Sequence, residues 1–408
     1  MERTTCLIAG GGPAGLILGL LLARAGVRVT VLEKHGDFLR DFRGDTVHAS
    51  TVRLMDELGL GEAFRAIPQS KLGNLGMPAP DGSRIELGDF DALPAPYNYV
   101  AMIPQWEFLD FLVAAAGREP TFTMKMNTEV TGVLREDGRV AGVRTRDRDG
   151  VMGEIRADLT VGCDGRHSIL RRESGLAVRE FPVPFDTWWF RLPRFEHERG
   201  SAAELLPDFQ GKEVLLTFVR PEYYQIAYFT EKGADPRLRA EGVERFRERV
   251  ARLRPQYADR VDEITSMDDL HLLDVRLNRL AGDWHVAGLL MIGDAAHAMS
   301  PAGGMGINLA IQDAVAAATY LAEPLLEGRV NGHDLARVRR RRRFPTHLVQ
   351  VMQRVLHRLL FAPAFAGKRS GAPKIAIYLA RVPGFKRIPA RMIAFGPRPE
   401  HAPPFALR

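Results

Sequence analysis

A chain of 408 residues, 46% apolar and 26% charged, has the makeup of a folded protein with a large core and about two or three domains. Its 39 glycines and 26 prolines follow no period, which excludes a collagen-like or linker-dominated chain, and its two cysteines, Cys6 and Cys163, exclude a disulfide framework or a cysteine zinc site. A formal charge of +6 suits anionic ligands from nucleotide cofactors to nucleic acid and does not choose among them.

From the N-terminus, 5–9 reads as an apolar strand, followed by a glycine turn, an apolar helix over 14–24 and a buried strand over 27–32 ending at Glu33. This opening lacks the basic-then-apolar order of a secretion signal, and the apolar run 16–23 is well short of the roughly 20 residues of a spanning helix, so a reducing cytoplasm is expected. A helix is predicted over 51–58 with Gly59 as its stop, then Pro- and Gly-rich sequence to residue 99, then a helix over 106–116. Alternation over 122–157, with Asp137-Gly138 between 130–134 and 140–144, predicts an antiparallel hairpin. The strand 159–162 ends in Cys163-Asp164-Gly165. Between 180 and 280, aromatic-rich strands at 187–192, 214–219 and 223–229 and a charged helix at 243–253 read as a second, mostly β domain. A buried strand at 289–292 feeds a glycine-rich turn and a helix to about residue 326, after which the chain is helical and basic.

Three segments at strand ends carry chemistry. Gly10-Gly11-Gly12-Pro13-Ala14-Gly15 fits GxGxxG between strand and helix, with Glu33 18 residues further on. Gly10 permits the tight turn, Gly12 the close approach of a pyrophosphate and Gly15 the packing of helix on strand, while free amides at the helix start attract phosphate. Glu33 suits the two ribose hydroxyls of an adenosine and repels a 2′-phosphate, which favours FAD or NAD over NADP at this turn. Gly162-Cys163-Asp164-Gly165 opens a basic stretch through Arg171, a pattern shared with a plain strand-to-helix turn capped by aspartate. Ile292-Gly293-Asp294-Ala295-Ala296-His297 continues through 301–308 into a helix, setting glycine amides where they stabilise negative charge on a ligand ring.

In this order, the three segments resemble the class A FAD-dependent aromatic hydroxylases, the flavoprotein monooxygenases related to para-hydroxybenzoate hydroxylase, over roughly the first 320 residues. The resemblance implies an α/β fold: a discontinuous Rossmann-type FAD-binding domain (1–72, 100–178 and 281–330), an inserted mostly β substrate domain (73–99 and 179–280), and a helical, basic C-terminal region (331–408). It implies that Gly10, Gly12, Pro13, Ala14 and Gly15 hold the FAD pyrophosphate and that Glu33, with Lys34 beside it, holds the adenosine end. Asp164 and Arg171 are linked by the same resemblance to FAD and NAD(P)H handling, Asp294 to the ribityl and pyrophosphate region, and Pro301, Gly304, Gly306, Ile307 and Asn308 to the isoalloxazine ring. Arg43 and Gln105 look like family residues beside the mobile flavin and the ribityl chain; their plainer readings are a solvated arginine and a polar helix entry, and Asn308 equally suits a helix cap. Arg43 and Asn308 are the candidates for a catalytic role.

The implied activity is monooxygenation. NADH or NADPH reduces FAD, O2 adds to the reduced flavin, and the C4a-hydroperoxide hydroxylates an aromatic or polyketide-like small molecule of secondary metabolism. Such chemistry needs a dry pocket. Trp188, Phe190, Phe218 and Tyr228 are its candidate walls, although strand alternation turns only half of the aromatic residues here to one face. No metal is expected, and neither His48 nor His297 stands out as a base over an ordinary buried histidine. Adjacent Trp188 and Trp189, in place of a Trp-x-Trp-x-Ile segment, argue against a halogenase. The alternatives are a flavin reductase or dehydrogenase without oxygen insertion and, behind it, a non-enzymatic flavin- or nucleic-acid-binding protein.

The last alternative rests on six arginines within 337–343, which read as a solvated helix face because no nucleic-acid module accompanies them. Leu348, Met352, Val355, Leu356, Leu359 and Leu360 recur at helical spacing and are expected to pack on the body of the protein, with membrane-surface association as the minor reading. A small aromatic substrate is the expected partner, with no nucleic acid, and the chain is expected to be a monomer or homodimer.

Overall fold

The structure is a computed structural model and describes residues 2–39, 46–78, 84–199, 205–210, 212–367, 378, 381–382 and 384–408. Its central strands lie parallel in the order Leu289–Met291, Met152–Gly162, Glu2–Ala9, Val29–Leu32, Phe122–Lys125. These strands are covered on both faces, which is why they read as unbroken apolar runs: Cys6, Leu7, Ile8 and Ala9 have no exposed surface. The helices Pro13–Arg24 and Gly306–Leu326 pack together against this sheet, and Gln105–Ala116 packs beside the first. Parallel strands require crossovers, so the sheet is assembled from segments far apart in the chain.

The hairpin Thr128–Glu136 and Arg139–Asp147 adds to Met152–Gly162 in antiparallel sense. Its turn residues Asp137 and Gly138 both have positive φ, +47° and +75°, the backbone a two-residue hairpin loop of the I′ kind demands.

The second sheet is antiparallel, in the order Leu205–Gln210, Glu213–Val219, Tyr223–Glu231, Phe185–Pro193, His271–Leu273. One face is covered by Val243–Leu253, the helix predicted over the same residues, whose Phe246, Val250 and Leu253 meet Trp188, Phe190, Leu215 and Tyr228. The opposite face carries Trp189, Val214, Ala227, Phe229 and Leu273 and looks toward the first domain.

Beyond residue 330, the helix Gly332–Leu356 begins at a capping box made by Asn331 and Asp334 and ends in the π-helical turn His357–Phe361. The arginine run lies on this helix and is not a uniformly solvated face. Arg342 is wholly buried, its Nε 2.9 Å from Asp313 Oδ1 and its Nη1 2.9 Å from Glu400 Oε1. Arg341 pairs with the same Glu400, Arg339 with Asp283, and Arg337 stacks over the Tyr320 ring. The apolar stripe that follows also divides: Met352, Leu356 and Leu360 border the main cavity, whereas Val355 and Leu359 are exposed. Among the described residues no helix is long and apolar enough to cross a membrane.

Candidate active site

One cavity of about 1270 Å3 runs from the glycine turn after the first strand to the inner face of the antiparallel sheet. It exceeds the roughly 300–1,000 Å3 of a pocket for one small molecule, so it has room for a cofactor and a second ligand.

At the dinucleotide end, the backbone explains each glycine of the turn. Gly10 sits at φ +107°, and a Cβ there would stand 2.4 Å from the Cys163 carbonyl oxygen. A Cβ on Gly15 would lie 2.0 Å from the Gly10 carbonyl oxygen, so only glycine lets the helix seat on the turn. Gly12 is different: nothing of the protein lies within 4 Å of its would-be Cβ, which leaves an open cradle. The helix that starts at Pro13 has no side-chain cap and no acidic residue in its first turn, so its leading amides remain available to an anion. Glu33 is buried, its Oε2 accepting from Gly11 N at 3.1 Å and its Oε1 from His35 N at 3.1 Å, which holds the carboxylate at the mouth of the turn. Lys34 and Gln105 line the same cavity.

The second segment contributes Asp164. Burial raises its carboxyl above the ordinary range, against hydrogen bonds from Ser168 and the Leu170 amide. Its Oδ1 is buried with no hydrogen-bond partner although the residue borders the cavity. An orphaned carboxylate oxygen in such a position is one a ligand hydroxyl would satisfy. Arg171 does not reach the cavity. It is buried and braces two loops, donating from Nη1 to the Ala295 carbonyl at 2.9 Å and from Nη2 to the Arg166 carbonyl at 2.6 Å, while its neighbour Arg172 lines the cavity.

In the third segment, Asp294 lines the cavity, with Arg166 Nη2 3.5 Å from its Oδ2. Pro301, Gly304, Gly306 and Ile307 line it next, and the helix Gly306–Leu326 starts there without a side-chain cap or an acidic residue in its first turn. The amide ends and dipole of a 21-residue helix therefore face the middle of the cavity. Gln353 anchors this turn from the C-terminal helix, donating to the Ser300 and Ala302 carbonyls at 2.7 and 2.9 Å, and His357 Nε2 lies 2.9 Å from Ser300 Oγ. Behind the Gly293-Asp294 strand end, Asp313 accepts from Gly293 N at 3.1 Å and lies 2.5 Å from His297 Nε2. His297 is thus part of a buried brace that includes Arg342.

Asn308 is neither a cap nor a wall of the cavity. Buried, it accepts from His48 N at 2.9 Å and Thr51 Oγ1 at 2.8 Å, tying the long helix to the segment 46–51. Arg43 lies outside the described residues.

At the far end, Phe218 borders the cavity, but Trp188, Phe190 and Tyr228 do not. They occupy the opposite face of the sheet, under the helix Val243–Leu253. Successive side chains alternate, so choosing Trp188 over Trp189 puts Trp188, Phe190 and Tyr228 on the wrong face and only Phe218 on the right one: Trp189, Leu216, Ala227 and Phe229 are the residues that face inward with it. Three more elements that sequence reasoning left out of the site complete the chamber: His48, the stretch Met352, Leu356, Leu360 and Phe361, and Pro389 with Ile393 near the C-terminus. The helical stripe was legible in 348–360, but not which side of it meets the cavity. Among the described residues, the Asp, Glu, Lys and Arg side chains that line the cavity, Glu33, Lys34, Glu129, Asp164, Arg166, Arg172 and Asp294, all belong to the end with the glycine turn. Around the apolar end, the described lining residues include no Asp, Glu, Lys or Arg.

The open cradle at Gly12, the uncapped helix start and the orphaned Asp164 oxygen fit a dinucleotide, and the comparisons with known proteins show the family. The family model described as FAD binding domain matches residues 3–351. The 6-methylpretetramide 4-monooxygenase of Streptomyces rimosus is 34% identical over 97% of this chain and 93% of its own length. The 12-dehydrotetracycline 5-monooxygenase/anhydrotetracycline 6-monooxygenase of the same species is 31% identical over 77% of this chain, which spans only 61% of that longer protein. Among solved structures, the OxyS anhydrotetracycline hydroxylase from Streptomyces rimosus superposes with a TM-score of 0.74 at 25% identity, covering 96% of this chain and 76% of that one.

Proposed function

The chain belongs to the FAD binding domain family, and from that membership we propose that it hydroxylates an uncharged polycyclic aromatic molecule of polyketide type. It is an FAD-dependent monooxygenase that takes electrons from NADH or NADPH and oxygen from O2. FAD, when bound, supplies the two-electron chemistry that activates O2 toward an aromatic carbon. What remains for the protein is to bind, to orient and to exclude water.

Gly10, Gly12, Pro13 and Ala14 line the cavity and hold the pyrophosphate in this reading, supported by the open cradle at Gly12 and the uncapped helix start. Glu33 and Lys34 meet the adenosine ribose, Gln105 and Asp294 the ribityl chain, and Asp164 a ligand hydroxyl through its orphaned Oδ1. Pro301, Gly304, Gly306 and Ile307 line the middle of the cavity and would hold the ring system, toward which the uncapped amide end of Gly306–Leu326 would supply stabilisation of negative charge. Gly15, Arg171 and Asn308 act from behind, as packing and bracing residues. The substrate stacks between Trp189, Phe218 and Phe229 on one side and the C-terminal helix on the other.

One observation carries the substrate class: the apolar chamber is continuous with the dinucleotide cradle and, over its described lining, free of carboxylates and cations. A charged substrate would have to leave water without a counter-charge. The test is NADH and NADPH oxidation by the flavin-loaded enzyme with 6-methylpretetramide, under labelled O2. One labelled oxygen atom in the product is expected. Nicotinamide oxidation that yields only peroxide with this and other polycyclic phenols overturns the proposal in favour of a reductase.

A further inference from the structure

His48 is 2% exposed and stands at the junction of the flavin-side turn and the apolar chamber. Its Nδ1 lies 2.7 Å from the Ile393 carbonyl oxygen. A carbonyl oxygen only accepts, so Nδ1 carries the hydrogen. Burial holds the ring far below the usual histidine range, at about 4, despite that backbone hydrogen bond, so the imidazole is neutral at pH 7. In a neutral ring with Nδ1 protonated, Nε2 is a bare acceptor. That nitrogen is 3.5 Å from the point where a Cβ on Gly304 would stand, which sets it against the turn next to the chamber. The segment that carries the ring is anchored as well: His48 N donates to Asn308 Oδ1 at 2.9 Å, and the Thr46 hydroxyl donates to the Gly304 carbonyl at 3.3 Å. The tautomer is thus set by the C-terminal helix Arg387–Phe395, and the position by the long helix behind the turn.

We infer that His48 Nε2 is the acceptor that reads a hydroxyl on the aromatic substrate and so fixes which edge of the ring system faces the flavin-side turn. The inference rests on the proposed function and narrows it from an uncharged polycycle to one that bears a hydroxyl. A buried acceptor discriminates because a ligand without the hydroxyl leaves it unpaired in an apolar chamber.

The experiment compares binding of 1-naphthol and 1-methoxynaphthalene to the FAD-loaded enzyme at pH 7, read by perturbation of flavin absorbance and of tryptophan fluorescence, with no turnover involved. The native enzyme is expected to prefer 1-naphthol by about 5- to 150-fold. His48→Phe is expected to abolish the preference while FAD stays bound. His48→Gln, whose amide can donate to Ile393 and still present an oxygen, is expected to restore part of it. Equal affinities in the native enzyme, binding of neither probe, or an undiminished preference in His48→Phe overturns the assignment. If His48→Phe does not fold, the native enzyme and His48→Gln still decide the matter. Failure of the hydroxylation reading shows itself separately, as absence of labelled oxygen in product, whatever the probes do.

Discussion

Replacing Arg342 by Met tests the buried brace behind the Gly293-Asp294 strand end. Methionine keeps the helix propensity and much of the stem of arginine but removes the guanidinium that joins Asp313 to Glu400. Asp313 cannot move out to water, because the same carboxylate also accepts from Gly293 N and sits 2.5 Å from His297 Nε2. Taking one partner from a buried pair costs about 3–5 kcal/mol. With an unfolding entropy of about 2.1 cal/mol/K per residue over 408 residues, that is a fall in Tm of roughly 3–6 °C. Burial alone would raise the Asp313 carboxyl, but His297 and Arg342 hold it below the ordinary carboxylate range. A depressed carboxyl stabilises the fold above its unfolded value and ceases to as pH drops through the folded one. The variant lacks the Arg342 guanidinium, so its deficit narrows below about pH 4, where Asp313 takes up a proton more readily than in the native enzyme. Melting of the holoenzyme in excess FAD, followed by flavin fluorescence and circular dichroism, measures the shift. A fall under about 1 °C refutes the reasoning. So does a double variant, Arg342→Met with Asp313→Asn, that loses as much as the two single losses added, since contacting residues should couple by about 0.5–3 kcal/mol.

Gly12→Ala and Gly15→Ala should separate cofactor contact from packing. Gly15→Ala overpacks the turn and lowers apoprotein stability by about 1–3 kcal/mol or more, whereas Gly12→Ala leaves the apoprotein melting curve in place and weakens FAD binding, measured by flavin titration. Trp188 and Trp189 should differ in kind: Trp188→Leu loses core packing and the Nε1 hydrogen bond to Asp235 and lowers Tm, while Trp189→Leu chiefly changes substrate KM, which steady-state kinetics with melting curves will distinguish. His48 titrates at about 4 when folded and near 6.5 when unfolded, so the unfolded chain binds the extra proton first. Its contribution makes stability fall as pH drops from about 6.5 to 4, by up to about 3 kcal/mol, and urea titrations at pH 7, 6 and 5 should show a shallower fall in His48→Gln.

The elements nearest in sequence were the most legible. The glycine turn needs a strand before it, a helix after it and an acid at the next strand end, all within 33 residues, and the hairpin at Asp137-Gly138 needs only two residues of positive φ. The helix at 243–253 was readable from its own periodicity. Arg171 and Asn308 were noticed for their neighbourhood, but their side chains turn away from the cavity to brace loops, and sequence spacing carries no information on that choice. The arginine run shows the same limit, because burial of Arg342 depends on Asp313 and Glu400, 29 and 58 residues away.

The sequence by itself determined the glycine turn, the strand and helix that flank it and the acid at the next strand end, because backbone turns and helix starts are local physics and short-range patterns encode them. Tertiary structure alone decided the substrate half. Which parity of each strand faces inward, which side of the C-terminal helix closes the chamber, and which nitrogen of His48 is left bare are all set by contacts between segments up to 345 residues apart. Alternating and helical patterns define faces, and only packing assigns each face its neighbour.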